Sequence, residues 1–167
     1  LLAGISSGAI NGIGTNALFQ YPAGISVSPD GSYALIGDTN NNQIRQMILS
    51  TQQVSLFAGS SVSSNGIGSN ALFNFPRGVA ISSDGSFALI GDTNNNQIRR
   101  IIISTQQVTL LAGSSQAVSG SANGIGSSAS FNTPKGINIS PDRSFALVAD
   151  WSNNQIRQII ISTQQVS

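Results

Sequence analysis

Histidine, cysteine and glutamate are all missing from this 167-residue chain, and its whole acidic complement is six aspartates. Without cysteine there is neither a disulfide framework nor a thiolate site, and the redox compartment stays open, because secreted repeat proteins also manage without disulfides. Charged residues are only 8% of the chain, where about 25% is usual, so solubility rests on Ser, Thr, Asn, Gln and Gly. A formal net charge of +1, with the cations scattered singly, gives no long-range field to draw in nucleic acid or anionic lipid. No apolar run approaches the roughly 20 residues of a membrane span.

What the chain does have is repetition. Asp-Thr-Asn-Asn-Asn-Gln-Ile-Arg runs from Asp38 to Arg45 and again, unchanged, from Asp92 to Arg99, and Asp-Trp-Ser-Asn-Asn-Gln-Ile-Arg runs from Asp150 to Arg157. Pro22, Pro76 and Pro134 follow each other at 54 and then 58 residues, and so do the three aspartates; the extra four residues lie within Gln116 to Ser121. The units are therefore 1–55, 56–109 and 110–167, together one segment of a single fold. Periods of this size mean that neighbouring copies bury each other's apolar faces. The cut falls inside a strand at both ends: either residue 1 pairs beside residue 167, or the sequence is a window on a longer chain. We expect the window, since residue 1 is not Met and no leader precedes it.

Within the first unit, Gly24–Ser28 alternates with period two, Ser28-Pro29-Asp30-Gly31 supplies a tight turn, and Tyr33–Ile36 reads as a mostly buried strand. Thr39–Asn42 forms the next loop, Gln43–Leu49 a third strand, Ser50–Gln53 a turn and Val54–Ala58 a fourth strand. Four antiparallel strands make one propeller blade, so the fold class is all-β: a β-propeller of four-stranded blades, three of them in this chain. Between blades, Asn11–Phe19 recurs at Asn65–Phe73 and Asn123–Phe131. We expect Thr15, Ser69 and Ser127 to cap one short helical turn there, presenting Phe19, Phe73 and Phe131 to the core.

The order Leu-Ala-Gly, Asn-Gly-Ile-Gly, Ala-x-Phe, Pro-x-Gly-Ile/Val, Ser-x-Asp-Gly, Ala-Leu-Ile-Gly-Asp, Asn-x-Gln-Ile-Arg resembles the NHL-repeat family of β-propellers over the whole chain. It is most similar to the long-repeat variant with a Gly-rich, Ala-x-Phe-containing link between blades. The resemblance implies six blades in a closed ring, of which three are half. An open half-ring exposes two sheet edges and one side of its core, so closure needs self-association with a second copy or continuation of the same chain.

All six aspartates occupy repeated positions: Asp30, Asp84 and Asp142 in the hairpin turn, and Asp38, Asp92 and Asp150 before the Asn-rich loop. One reading is architectural, with the turn set bonding nearby backbone N–H groups and the second set capping its loop and pairing with Arg45, Arg99 or Arg157. The other is a calcium or ligand ring, in which Asp38, Asp92 and Asp150 join Asn40, Asn94 and Asn153 as hard oxygen donors on one face. Some NHL-like propellers are lyases or lactonases, and that resemblance implies clusters of His, Glu and Asp around a metal. This chain lacks two of those three, so we expect no catalytic residues and no cofactor.

The charges that break the repeat are Arg77, Arg100, Lys135 and Arg143. Arg77 and Lys135 follow the blade-opening proline, which puts them on the face of the Asn-rich loops as a modest cationic rim. Some NHL propellers bind RNA through a strongly basic face, but two cations in three blades are too few for several phosphate contacts. Trp151, an aromatic in a polar loop, reads either as a partner contact or as packing against the neighbouring link. Asn138-Ile139-Ser140 is an N-glycosylation sequon where the other copies have Ser26 and Ala80. The expectation is a noncatalytic structural or interaction module: an extracellular, secreted scaffold, or one period of a tandem array or filament, contacting other proteins or glycans. Two alternatives remain, a calcium-dependent lyase- or lactonase-like enzyme and a lectin-like propeller with Trp151 and the Asn-rich loops lining one pocket.

Overall fold

A computed structural model describes residues 1–59 and 65–167. Three antiparallel sheets form, each from one unit and, for the first two, the opening three residues of the next, and each sheet has five strands rather than the four read from the sequence. In the first, β2 (Pro22–Val27), β3 (Tyr33–Asp38), β4 (Gln43–Ile48) and β5 (Gln53–Ala58) follow in order, and the two-residue β1 (Gly12–Ile13) pairs with the outer side of β5. The second repeats this with β6 (Gly66–Ile67), β7 (Pro76–Ile81), β8 (Phe87–Asp92), β9 (Gln97–Ile102) and β10 (Gln107–Ala112). The third has β11 (Gly124–Ile125), β12 (Pro134–Ile139), β13 (Phe145–Asp150), β14 (Gln155–Ile160) and β15 (Gln165–Val166).

The fifth strand is the Asn-Gly-Ile-Gly link itself, with Gly12 opposite Val54 and Ile13 opposite Gln53. Two residues are too few to carry an alternation signal, so the pattern was silent on it. Its effect is to cover part of an edge that would otherwise present unpaired backbone groups. The link then makes a 3₁₀ turn at Gly14–Asn16, Gly68–Asn70 and Gly126–Ser128. The expected caps are not there: Thr15, Ser69 and Ser127 lie inside these turns, and the cap positions are Ile13, Ile67 and Ile125, with no side-chain bond. The phenylalanines do go inward, Phe73 and Phe131 completely and Phe19 partly. Leu1 and Leu2 are exposed outside any strand and Ser167 pairs with Gln158, so the two ends do not complete one blade between them.

The cores lie between blades. Leu35, Ile44 and Phe57 of the first pack against Phe73, Val79 and Ile90 of the second, and Leu89, Ile98 and Leu111 of the second against Phe131, Val148 and Ile159 of the third. Strands β2, β7 and β12 adjoin one another along the inner side. Gly24 and Gly78 sit flush against the backbone carbonyls of Arg77 and Lys135 in the next blade, an approach that a Cβ would block.

Polar bonds cross each seam too. Thr39 Oγ1 donates to the Pro76 carbonyl at 3.0 Å and Thr93 Oγ1 to the Pro134 carbonyl at 2.8 Å. Asn42 and Asn96, left-handed at the ends of their loops, accept the backbone N–H of Phe75 and Thr133. At the two open faces the equivalents of buried residues are bare. Ile25, the counterpart of Val79, is 60% exposed on the first blade, and Leu147 and Ile156, the counterparts of Leu89 and Ile98, are 44% and 71% exposed on the third.

Candidate functional site

The Asn-rich loop is a 3₁₀ turn, Thr39–Asn41, Thr93–Asn95 and Trp151–Asn153, that joins β3 to β4 and its counterparts. The aspartate at its start and the arginine seven residues later face each other across that hairpin, and both are buried. Asp38 Oδ2 accepts Arg45 Nη1 at 3.0 Å and Asn41 Nδ2 at 2.9 Å, while its Oδ1 accepts the Gln20 N–H at 2.7 Å. Asp92 and Asp150 repeat the pattern with Arg99 and Arg157, each at 3.2 Å. The pairing with arginine is thus as expected, but the carboxylate does not cap its own turn: no side-chain cap bond is made at Asp38, Asp92 or Asp150.

Each guanidinium reaches on into the link that precedes its blade. Arg45 donates to the carbonyls of Ile10 and Leu18 and to Asn11 Oδ1, Arg157 to Ala122, Ser130 and Asn123, and Arg99 to Leu72 and Asn65. The guanidinium carbons also lie 5.3, 5.7 and 5.4 Å from the ring centres of Phe19, Phe73 and Phe131. For Asp92, burial pushes the carboxyl up while hydrogen bonds from Asn74, Asn95 and Arg99 and the charge of Arg99 pull it down.

This chemistry is a poor cage for calcium. Every oxygen of Asp38, Asp92 and Asp150 already accepts N–H donors, and a cation would have to take the place of a guanidinium that satisfies it. The amide partners also need correction. Asn153 corresponds to Asn41 and Asn95, since all three donate to the aspartate, whereas Asn40 and Asn94 correspond to Ser152. Those three use their backbone N–H on the Gln20, Asn74 and Asn132 carbonyls.

The turn aspartates behave as read from the sequence. Asp30 accepts the Ser32 N–H at 3.0 Å and the Ser28 hydroxyl at 2.6 Å, and Asp84 and Asp142 do likewise with Ser86 and Ser82 and with Ser144 and Ser140. The serine hydroxyl, above all, holds Asp30 and Asp142 at about 2, and Asp84 is lowered further with help from Arg143. Arg143, in the left-handed conformation where the other copies have glycine, forms an ion pair with Asp84 one blade back.

The remaining candidates lie on the rim. Arg77 lines a cleft of about 440 Å³ with Tyr21, Pro22, Ala23, Thr39 and Asn40. The Lys135 ammonium sits 3.1 Å from the centre of the Trp151 ring, so Trp151 packs within its own blade, though 59% exposed. Asn138 is exposed on the open seam face of the third blade, the side on which Ser26 of the first blade accepts the Ile81 N–H of the second and Ala80 of the second is buried.

Repeated four-stranded hairpin sheets, inter-blade cores and an added edge strand define the class: this is a segment of a β-propeller. No family profile matches the chain. It is 31% identical over 106 residues to NHL repeat-containing protein 2 of Bos taurus, covering 62% of this chain and 15% of that protein. It is 32% identical over 151 residues to Protein SUPPRESSOR OF QUENCHING 1, chloroplastic, of Arabidopsis thaliana, covering 84% of this chain and 14% of that one. An auxiliary nutrient binding protein from Bacteroides thetaiotaomicron superposes with a TM-score of 0.70 at 26% identity, over 80% of this chain and 36% of that one. The three units are NHL-type repeats. The chain spans about a seventh of the length of these curated relatives.

Proposed function

We propose that this chain is a noncatalytic structural or interaction module, an NHL-type half-ring that other blades complete and whose rim meets partners. The observation that supports it most directly is the fate of the carboxylates: all six are engaged, three by buried guanidinium groups and three by turn serines. None remains as a general acid or base, and the chain has no His, Glu or Cys to replace them. A calcium-dependent lyase or lactonase would need such groups to converge.

The blades that close it come from continuation of the chain or from a second copy. The low charge and the Ser-, Thr- and Asn-rich composition support a place outside the cell, as a scaffold or one period of a tandem array. Titration calorimetry with calcium tests the calcium-dependent alternative: no saturable heat is expected, and a stoichiometric micromolar site would favour that alternative over this reading. The denatured mass of the native protein, beside its mass in solution, tests the assembly. A chain near 17.2 kDa that doubles in solution gives two half-rings, a much larger chain gives an array, and mass removed by glycosidase supports secretion.

A further inference from the structure

The two open faces of the chain are the two halves of one seam. Between the first and second blades, Leu35 and Ile44 pack against Phe73, Val79, Ile90 and Ile101. The counterparts of the first pair are Leu147 and Ile156, bare on the third blade. Those of the other four are Phe19, Ile25, Ile36 and Met47 on the first blade, which help to line a cleft of about 410 Å³. Each face lacks the apolar groups that the other carries.

The polar groups match as well. Asn42 and Asn96 each accept a backbone N–H of the following blade, from Phe75 and Thr133. Asn154 has the same left-handed conformation, and among the described residues its Oδ1 has no donor. Tyr21, at φ 52° beside 54° and 52° for Phe75 and Thr133, holds the corresponding N–H on the first blade. Gly24 and Gly78 lie against the carbonyls of Arg77 and Lys135, whereas Gly136 has no following backbone against it and Ala23 carries the equivalent carbonyl.

Any blade of this type meets those conditions, but Trp151 narrows the choice. Thr39 and Thr93 donate to the carbonyls of Pro76 and Pro134, and the residue after each proline is long and basic, Arg77 or Lys135. Arg77 lines one cleft with Thr39 and Asn40, so the loop residue and the residue after the proline share a space across the seam. Trp151 takes the place of the threonine, and Lys135 of its own blade already covers one face of the indole. The other face needs room that a second long side chain would fill. Of the three blades only the first has a small residue at that position, Ala23.

We propose that the open face of the third blade docks on the open face of the first blade of a second copy of this chain, with Trp151 seated beside Pro22 and Ala23. The proposal rests on the reading of the chain as a half-ring that other blades complete, and it commits that reading to one partner. The two faces lie at opposite ends of the half-ring, so the same seam forms twice and two copies close on themselves rather than growing into a fibre.

The experiment is sedimentation of the 167-residue chain over a range of concentrations, with the emission of Trp151, its single tryptophan, read in parallel. A doubling of mass is expected, together with a blue shift as the indole is covered. Ala23→Arg, which gives the first blade the residue of the second, is expected to weaken association by about tenfold or more, because guanidinium and indole then claim one space. Trp151→Thr added to Ala23→Arg recreates the pair found between the first and second blades and is expected to restore the dimer to within about threefold of wild type. Both positions are exposed in the single chain, so neither change removes a core contact. A chain that stays at 17.2 kDa up to about 100 μM, a mass that grows past the dimer, a dimer indifferent to Ala23→Arg, or a double variant no better than the single one overturns the proposal. A monomer leaves the noncatalytic module standing, with its face taken by blades of another kind; a saturable calcium site refutes the module whatever the mass.

Discussion

Asn42 Oδ1 accepts the backbone N–H of Phe75 at 2.9 Å, although the two residues belong to different blades. Asn96 does the same for Thr133, so the last residue of each of the first two loops is a clasp on the blade that follows. Asn42 has φ 56°, a conformation that suits Asn and Gly better than other residues.

Two substitutions at this clasp separate its contributions. Asn42→Gly keeps the backbone free to turn but leaves the Phe75 N–H without its acceptor, at a cost of about 1–3 kcal/mol. Asn42→Ala adds left-handed strain of about 1 kcal/mol, so the urea midpoint should fall in the order wild type, Gly, Ala. Equal midpoints for wild type and Gly would mean that the bond contributes nothing.

The buried pair of Asp92 and Arg99 gives a larger effect. Asp92→Asn or Arg99→Met should each cost about 3–5 kcal/mol, because the remaining charge stays buried without its counterpart. Replacing both with apolar residues should not restore stability, because the Leu72 carbonyl and Asn65 Oδ1 also depend on this guanidinium. Chemical denaturation of the three variants checks it; a double variant as stable as wild type would show that the link needs no tether.

Acid should cost stability at the turns. Asp30 and Asp142 are held at about 2, below the ordinary 3.8, mainly by the hydroxyls of Ser28 and Ser140. A depressed carboxyl contributes stability that is present above its ordinary value and disappears as pH falls toward the folded one. Between pH 3.8 and about 2 the wild type should therefore lose stability, and Ser28→Ala with Ser140→Ala should flatten that slope. Thermal melts across this range measure it.

Equivalent glycines should differ in tolerance. A Cβ at Gly24 would run into the Arg77 carbonyl of the next blade, and Gly24→Ala should cost about 1–3 kcal/mol or more as the seam shifts. Gly136 holds the same place in the third blade, where the nearest atom of these 167 residues is the Ala149 Cβ at 3.5 Å, so Gly136→Ala should be close to neutral in the 167-residue chain alone and as costly as Gly24→Ala once a further blade closes on it. Matched melting curves for the two variants decide it, and equal losses in the 167-residue chain would show that a second copy already covers Gly136.

Much of this was readable in the sequence. Strand β2 follows from period-two alternation and β3 to β5 from the turn residues that bound them, and the pairing of Asp38 with Arg45 follows from placing them on opposite arms of one hairpin. The clasp of Asn42 on Phe75 was not legible, because a run of asparagines gives no sign of which one faces a neighbour. Nor was the role of Asn11, Asn65 and Asn123, which accept from guanidinium groups 34 residues further on. The contact between Thr133 and Ser152 was hidden for a different reason. Trp151 and Lys135 were each visible as oddities, but only the sheet brings Thr133 beside Ser152, 19 residues apart in the chain.

The arginine of each blade grips the link that enters that same blade, so every repeat contains both the tether and what it ties down. A gene duplication that copies one unit therefore copies a working part, with no matching change demanded elsewhere. Such a unit is free to multiply first and diversify afterwards, which fits a chain whose first two loops are letter-for-letter the same while its third carries the novelty.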